Sequence, residues 1–262
     1  MQPNAPEQRI VLAGTSGEYR EFRPRAELDA HFQCVWANTL ALDSTERLAV
    51  VPDGCVDITC LDSEVLVAGP DVTVNVTPIR RGTVIGVRFR PGAAALWLGM
   101  PMSELVGTRR ALGEFWGPIA REIGERVGDQ PTNAARMNVL QAELSRRAMK
   151  VEQPALDLGF VFNALKTESG GRGMSIILDR LNIGPRTLHR RCVEAFGYGP
   201  KTLDRILRFQ RFLRRVRESQ KPRLSGLAFE AGYADQAHLT REVRRLSTLS
   251  PAEILSQLGH LS

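Results

Sequence analysis

Histidine is scarce in this chain: there are four in 262 residues, and only His31 precedes residue 189. A cupin-type metal centre needs clustered imidazole and carboxylate ligands, so the N-terminal half is not expected to be a metalloenzyme. Cysteine is equally sparse. Cys34, Cys55, Cys60 and Cys192 form no Cys-x-x-Cys pair and no dense framework, and such thiols act by default as small apolar side chains. No apolar run approaches the ~18 residues of a membrane span. Met1 to Glu7 is polar and proline-bearing, without the apolar centre of a signal peptide, and a cytoplasmic location is expected. The glycine-rich stretch Glu168-Ser169-Gly170-Gly171-Arg172-Gly173 is followed by no Gly-Lys-Ser/Thr and preceded by no strand, which excludes a phosphate loop. No catalytic constellation, cofactor motif or metal site is expected.

Apolar residues at 43% and charged residues at 24% give an ordinary globular balance, and 262 residues suffice for one large domain or two ordinary ones. The net charge of +6 is unevenly placed. Residues 151–262 hold 18 Lys and Arg against 11 Asp and Glu, whereas residues 1–150 hold 17 against 18. A basic C-terminal part joined to a neutral N-terminal one implies a polyanion partner for the former.

Three regions follow from the local patterns. Residues 1–111 read as short β-strands, rich in β-branched residues and separated by turn signals such as Pro52-Asp53-Gly54 and Asp62-Ser63. The expectation is a small sandwich or barrel. Strands are expected at Cys34–Ala37, Arg47–Val51, Cys55–Leu61, Glu64–Ala68, Val72–Val76 and Thr83–Phe89. Within Cys55–Leu61, Val56, Ile58 and Cys60 share the apolar face, opposite Cys55, Asp57 and Thr59. Trp36, Asp57, Arg88 and Phe89 are candidates to line an effector pocket, and Cys34 or Cys55 is a candidate thiol sensor. Residues 112–150 read as two helices, Leu112–Val127 and one capped by Thr132. They cover the β domain or meet a second copy of the chain, and the pattern leaves both readings open.

Residues 151–262 read as all-α: a helix from Pro154, then two helix-turn-helix units joined by one long helix, Lys201–Glu218. The whole chain is therefore α+β in class. In the first unit Ser175 is the expected cap, Asn182 sits at the turn, and Pro185 opens the second helix. Leu188, Cys192 and Phe196 recur at i, i+4, i+8 and face inward, leaving Arg186, His189 and Arg190 outward with Thr187 beside them. In the second unit Gly232 is at the turn. Leu239, Val243 and Leu246 face inward, while Gln236, Ala237, Thr240, Arg241 and Arg244 point away, with His238 at the margin. Arginine suits guanine O6/N7 and glutamine suits adenine N6/N7. The expected partner is double-stranded DNA. Arg205, Arg208, Arg211, Arg214, Arg215 and Arg217 cover much of the remaining surface of the long helix.

Pro185-Arg186-Thr187-Leu188-His189-Arg190-Arg191, Gly197-Tyr198-Gly199-Pro200 and Gly232-Tyr233-Ala234-Asp235-Gln236-Ala237-His238-Leu239-Thr240-Arg241 resemble the AraC/XylS family of bacterial transcription regulators over roughly residues 154–262. The resemblance implies that Arg186, His189 and Arg190 in one helix, and Gln236, His238, Thr240 and Arg241 in another, read bases. Val51–Asp57, Ala68–Asp71 and Gly86–Ala94 resemble a domain of unknown function found ahead of some such regulators. An effector-controlled regulator is implied, with a small-molecule effector, RNA polymerase and a second copy of the chain through residues 112–150 as further expected partners. The chain departs from the family pattern at Asp179, Cys192, Val243 and Thr248, where small, Phe, Phe and Gly residues are usual. The alternative is an Ada-like alkyl-damage protein, but none of the four cysteines has a Cys-His-Arg setting that would activate its thiol.

Overall fold

Alternating apolar residues build the N-terminal half and helical repeats of apolar residues build the C-terminal half. The computed structural model describes residues 9–40, 44–168, 171–219 and 223–259. The expected polar segment 1–7 and Ser169-Gly170 of the glycine-rich loop lie outside the described residues. Among the described residues, nine strands form two sheets. A three-stranded sheet has the order β1 (Ile10–Leu12), β4 (Arg47–Val50), β7 (Asn75–Pro78). A six-stranded sheet has the order β2 (Glu18–Phe22), β3 (Phe32–Leu40), β8 (Gly82–Phe89), β5 (Asp57–Leu61), β6 (Glu64–Ala68), β9 (Arg109–Ala111).

The pairing in the larger sheet is antiparallel, and its register aligns Val35 with Val87 and Ile58 with Val87, while Arg88 aligns with both Cys34 and Asp57. Strand alternation therefore sends Val35, Ile58, Cys60, Val67 and Val87 to one face, where they are buried in a shared core. Trp36, Asp57 and Arg88 belong to the other face. Three strands were not foreseen (β1, β2 and β9), and β7 lies further along the chain than the expected Val72–Val76.

Four helices follow: α1 (Ala93–Leu98), α2 (Gly113–Trp116), α3 (Pro118–Gly128) and α4 (Asn133–Ala148). The expected single helix over Leu112–Val127 is broken at Gly117. That residue takes φ 65° and ψ −149°, a backbone conformation glycine alone tolerates readily, and Pro118 opens the next helix. Thr132 caps α4 by accepting from the Ala135 amide at 3.2 Å. Ile123, Val127, Leu140 and Leu144 are buried in the same core as the sheet, together with Trp97, Phe32 and Phe89. The apolar faces of residues 112–150 thus cover the β domain.

The C-terminal half comprises α5 (Leu156–Thr167), α6 (Arg172–Leu181), α7 (Pro185–Phe196), α8 (Pro200–Glu218), α9 (Leu224–Ala231), α10 (Gln236–Ser247) and α11 (Pro251–Leu258). Helix α6 begins three residues earlier than its expected cap. Gly171, in the left-handed region, precedes it, and Ser175 lies exposed inside the helix. One core runs through all seven helices and takes in Leu12 and Ala49 from the N-terminal half. No helix among the described residues is long and apolar enough to cross a membrane.

Candidate nucleic-acid interface

Each helix-turn-helix unit is built by a left-handed residue between two helices. Asn182 ends α6 at φ 47° and ψ 47°, Gly184 caps α7 in extended conformation and Pro185 takes its first position. Gly232 ends α9 at φ 88°, and Asp235 caps α10 by accepting from the His238 amide at 2.6 Å. The inward faces are closed: Leu188, Cys192, Phe196, Leu239, Val243 and Leu246 are all buried.

The outward side chains follow the helical period. Arg186, His189 and Arg190 are exposed, and Thr187 is half-buried. His189 nevertheless lies against the backbone of Gly199, where a Cβ would stand 2.5 Å from its Cε1 atom. In α10, Gln236, Ala237, Arg241 and Arg244 are exposed. Two expected readers there are partly engaged by their own surroundings. His238 meets the Tyr233 ring edge-on at 5.2 Å and its Nδ1 accepts from the Ala234 amide at 3.4 Å, while Thr240 Oγ1 donates to the Gln236 carbonyl at 2.8 Å. The expected reading side chains that remain exposed and clear of these internal contacts are Arg186 and Arg190 in α7 and Gln236, Arg241 and Arg244 in α10.

Helix α8 joins the units, and its arginines do not all cover its surface. Arg211 is buried. Its Nη1 donates to the Leu165 carbonyl at 2.7 Å and the Lys166 carbonyl at 3.1 Å, and its Nε donates to the Ala231 carbonyl at 3.2 Å. One guanidinium thus satisfies terminal carbonyls of both α5 and α9, where helix dipoles favour a cation. Arg205 faces Glu242 at 3.7 Å, and Arg208 pairs with Asp204 while lying over the Tyr233 ring. Only Arg214, Arg215 and Arg217 of the six are exposed. The role of Arg211 escaped sequence reasoning because an arginine on a basic helix reads as solvated.

The candidate effector residues divide. Arg88 makes a fork-to-fork pair with Asp57, Nε to Oδ1 and Nη2 to Oδ2 both at 3.0 Å, and also meets Asp53 at 3.1 Å. Burial alone would lower the Arg88 pKa, but the two carboxylates outweigh it and hold the cation firmly protonated. Trp36 shares this face. Phe89 does not: it lies on the opposite face, with its ring stacked on Phe32 at 4.7 Å. An opening of about 420 Å³ lies between the two halves of the chain, and Arg90, Pro91, Gln153, Leu156, Phe162 and Lys166 help line it. It joins residues some 70 positions apart, which no sequence pattern reveals. Burial pushes the Cys34 and Cys192 thiols up to about 12, and that of Cys55 well above its usual range, against a reactive thiolate at any of them.

With this geometry in view, the C-terminal half carries a helix-turn-helix domain. Residues 177–257 match a helix-turn-helix domain, and residues 20–110 match a domain of unknown function (DUF6597). The chain accordingly joins a helix-turn-helix domain to that N-terminal domain of unknown function. No curated protein matches the chain. Among solved structures, ToxT from Vibrio cholerae O395 aligns at 10% identity with a TM-score of 0.47, covering 88% of this chain and 99% of that one. ToxT from the same strain bound to (E)-4-(8-methylnaphthalen-1-yl)but-3-enoic acid aligns at 11% identity and 0.45, over 87% and 99%. Wild-type ToxT of Vibrio cholerae strain SCE256 bound to unsaturated fatty acid aligns at 12% identity and 0.40, over 88% and 93%.

Proposed function

We propose that the chain regulates transcription by setting α7 and α10 into successive major grooves of one DNA face, under control of an effector bound to its N-terminal half. The observation that carries this reading is the pair of capped helices, each with an apolar inner face buried and basic or amide side chains exposed at its opening turns. The 19 residues of α8 span roughly 28 Å at 1.5 Å each. That is close to the ~34 Å between successive grooves, and helix placement or DNA bending supplies the rest. Arg186, Arg190, Gln236, Arg241 and Arg244 read base edges, with Thr187, His189, Ala237, His238 and Thr240 completing the contact surface.

Substituting Arg190→Ala or Arg241→Ala weakens binding to a specific duplex by about 1–3 kcal/mol and relaxes the preference at one base position. Equal affinity of variant and parent in a gel-shift titration contradicts the assignment. The effector is expected in the 420 Å³ opening between the halves or beside Trp36, Asp57 and Arg88. Thermal-shift titration of the full chain with candidate metabolites tests control by a small molecule. A second copy of the chain would meet the outer side of α3, where Ile119 is exposed, and RNA polymerase is the partner that regulation at a promoter requires. The buried thiols favour this reading over alkyl transfer to cysteine.

A further inference from the structure

Three stretches of the N-terminal half stand out in the sequence: Val51–Asp57, Ala68–Asp71 and Gly86–Ala94. Part of each ends against the helix-turn-helix half. A Cβ at Gly54 would stand 3.1 Å from the Phe162 ring and 3.2 Å from Leu203, and one at Gly92 would run into Leu158. From the other side, a Cβ at Gly197, the C-cap of α7, would stand 2.7 Å from Val106 and 3.0 Å from Pro70. Gln210 of α8 donates to the Pro52 carbonyl at 2.6 Å. The space left between Gly54, Gly92, Phe162 and Phe196 is about 10 Å³, at the lower limit for a water molecule. The backbone of Gly54, Gly92 and Gly197 thus packs closely on side chains across the interface.

The loop that makes the central contact is itself tethered. Asp53 accepts from the Cys55 amide at 2.9 Å and meets Arg88 at 3.1 Å, and Arg88 is anchored in the sheet through Asp57. The second unit is held separately. Strand β1 is an edge of its sheet, and Gln257 of α11 pairs with it as a further strand would: its Oε1 accepts from the Leu12 amide at 2.8 Å and its Nε2 donates to the Ile10 carbonyl at 3.0 Å. None of these contacts uses an outward residue of α7 or α10.

We propose that the N-terminal domain is a brace that grips both helix-turn-helix units at once, the first through its glycine-bearing loops and the second through β1, and so fixes their relative orientation for a two-part DNA site. This rests on the reading of α7 and α10 as the two DNA-contacting helices. Helix α8 sets the separation of the units. The brace removes the freedom to twist and splay that remains at its two ends, a freedom that would otherwise be lost on binding DNA.

The test uses the full chain and a duplex that it selects from a random-sequence pool. The variants are Gln210→Ala/Gln257→Ala, which removes the spanning hydrogen bonds, and Gly92→Val, which forces the interface apart. Amide exchange is expected to speed up in β1 for the first variant and in α5 for the second. Both are expected to bind the selected duplex about ten-fold more weakly. They are also expected to lose less than the parent when five base pairs are inserted between the half-sites. Faster exchange with equal or tighter binding overturns the brace, and unchanged exchange overturns the grip itself. Failure of the parent chain to select any sequence overturns instead the DNA-reading assignment, as does full binding by Arg190→Ala/Arg241→Ala.

Discussion

Thr248 stands at the C-cap of α10 with φ 63° and ψ −11°, a left-handed conformation at an exposed position. A β-branched residue is strained there, by roughly 1–2 kcal/mol, and glycine is the residue that relieves it. Thr248→Gly is therefore expected to raise stability by about 1 kcal/mol after the added chain entropy of glycine is subtracted, measured as a higher urea midpoint with unchanged slope. Gly197 occupies the matching place in the first unit, at the C-cap of α7 with φ 87°, and glycine adopts that conformation without strain. The thiols give a second prediction. Cys34 and Cys192 keep their protons up to about 12 in the folded chain because burial disfavours the thiolate, whereas their usual value is 9.0. Below pH 9 both folded and unfolded chains hold these protons. Between pH 9 and 12 only the unfolded chain releases them, so stability falls as pH rises through that window. Thermal unfolding of the parent and of a Cys34→Ala/Cys192→Ala variant across this range measures the effect, and the variant should show a shallower decline.

At the scale of elements, Arg211 ties α8 to the ends of α5 and α9. Arg211→Leu leaves three carbonyl contacts unmade in a buried place and is expected to cost about 2–4 kcal/mol in urea unfolding. Arg211→Lys should recover only part of this, since one ammonium lacks the fork that reaches both helices. The C-terminal helices were legible because their signals are local. Pro185 and Pro251 at first helical positions, Gly232 at a turn, and the i, i+4 spacing of Leu188 with Cys192 each act within a few residues. The missed strands lack such signals. In β2 all five residues, Glu18 to Phe22, are exposed on an edge, so no inward apolar face is written into them. Strand β9 is Arg109-Arg110-Ala111, whose strand identity comes from pairing with β6 (Leu66 with Ala111, Ala68 with Arg109), far back along the chain. Phe89 and Arg88 are both candidates for the pocket by sequence, yet strand alternation sends neighbours to opposite faces. The interdomain contacts of Gly54 and Gly92 could not be read at all, because a turn signal says nothing of what packs on it.

At the scale of the whole molecule, a basic helical half is held against a neutral β-rich half by close-packed contacts, with exposed arginines on α7 and α10. The internally engaged arginines, buried Arg211 and half-buried Arg205 and Arg208, change how the charge is understood. Part of the basic excess serves internal ties, and a smaller exposed set is left for phosphates and bases. Salt dependence of DNA binding should accordingly report fewer phosphate contacts than the count of 18 Lys and Arg in residues 151–262 suggests. The most direct measurement is selection of duplexes from a random-sequence pool by the full chain, followed by footprinting of the selected site. A two-part site with half-sites about one helical turn apart on one face of the DNA is expected, with Arg190→Ala relaxing the preference at one position of one half-site and Arg241→Ala at one position of the other. Recovery of a single undivided half-site, or of no preferred sequence, would contradict it.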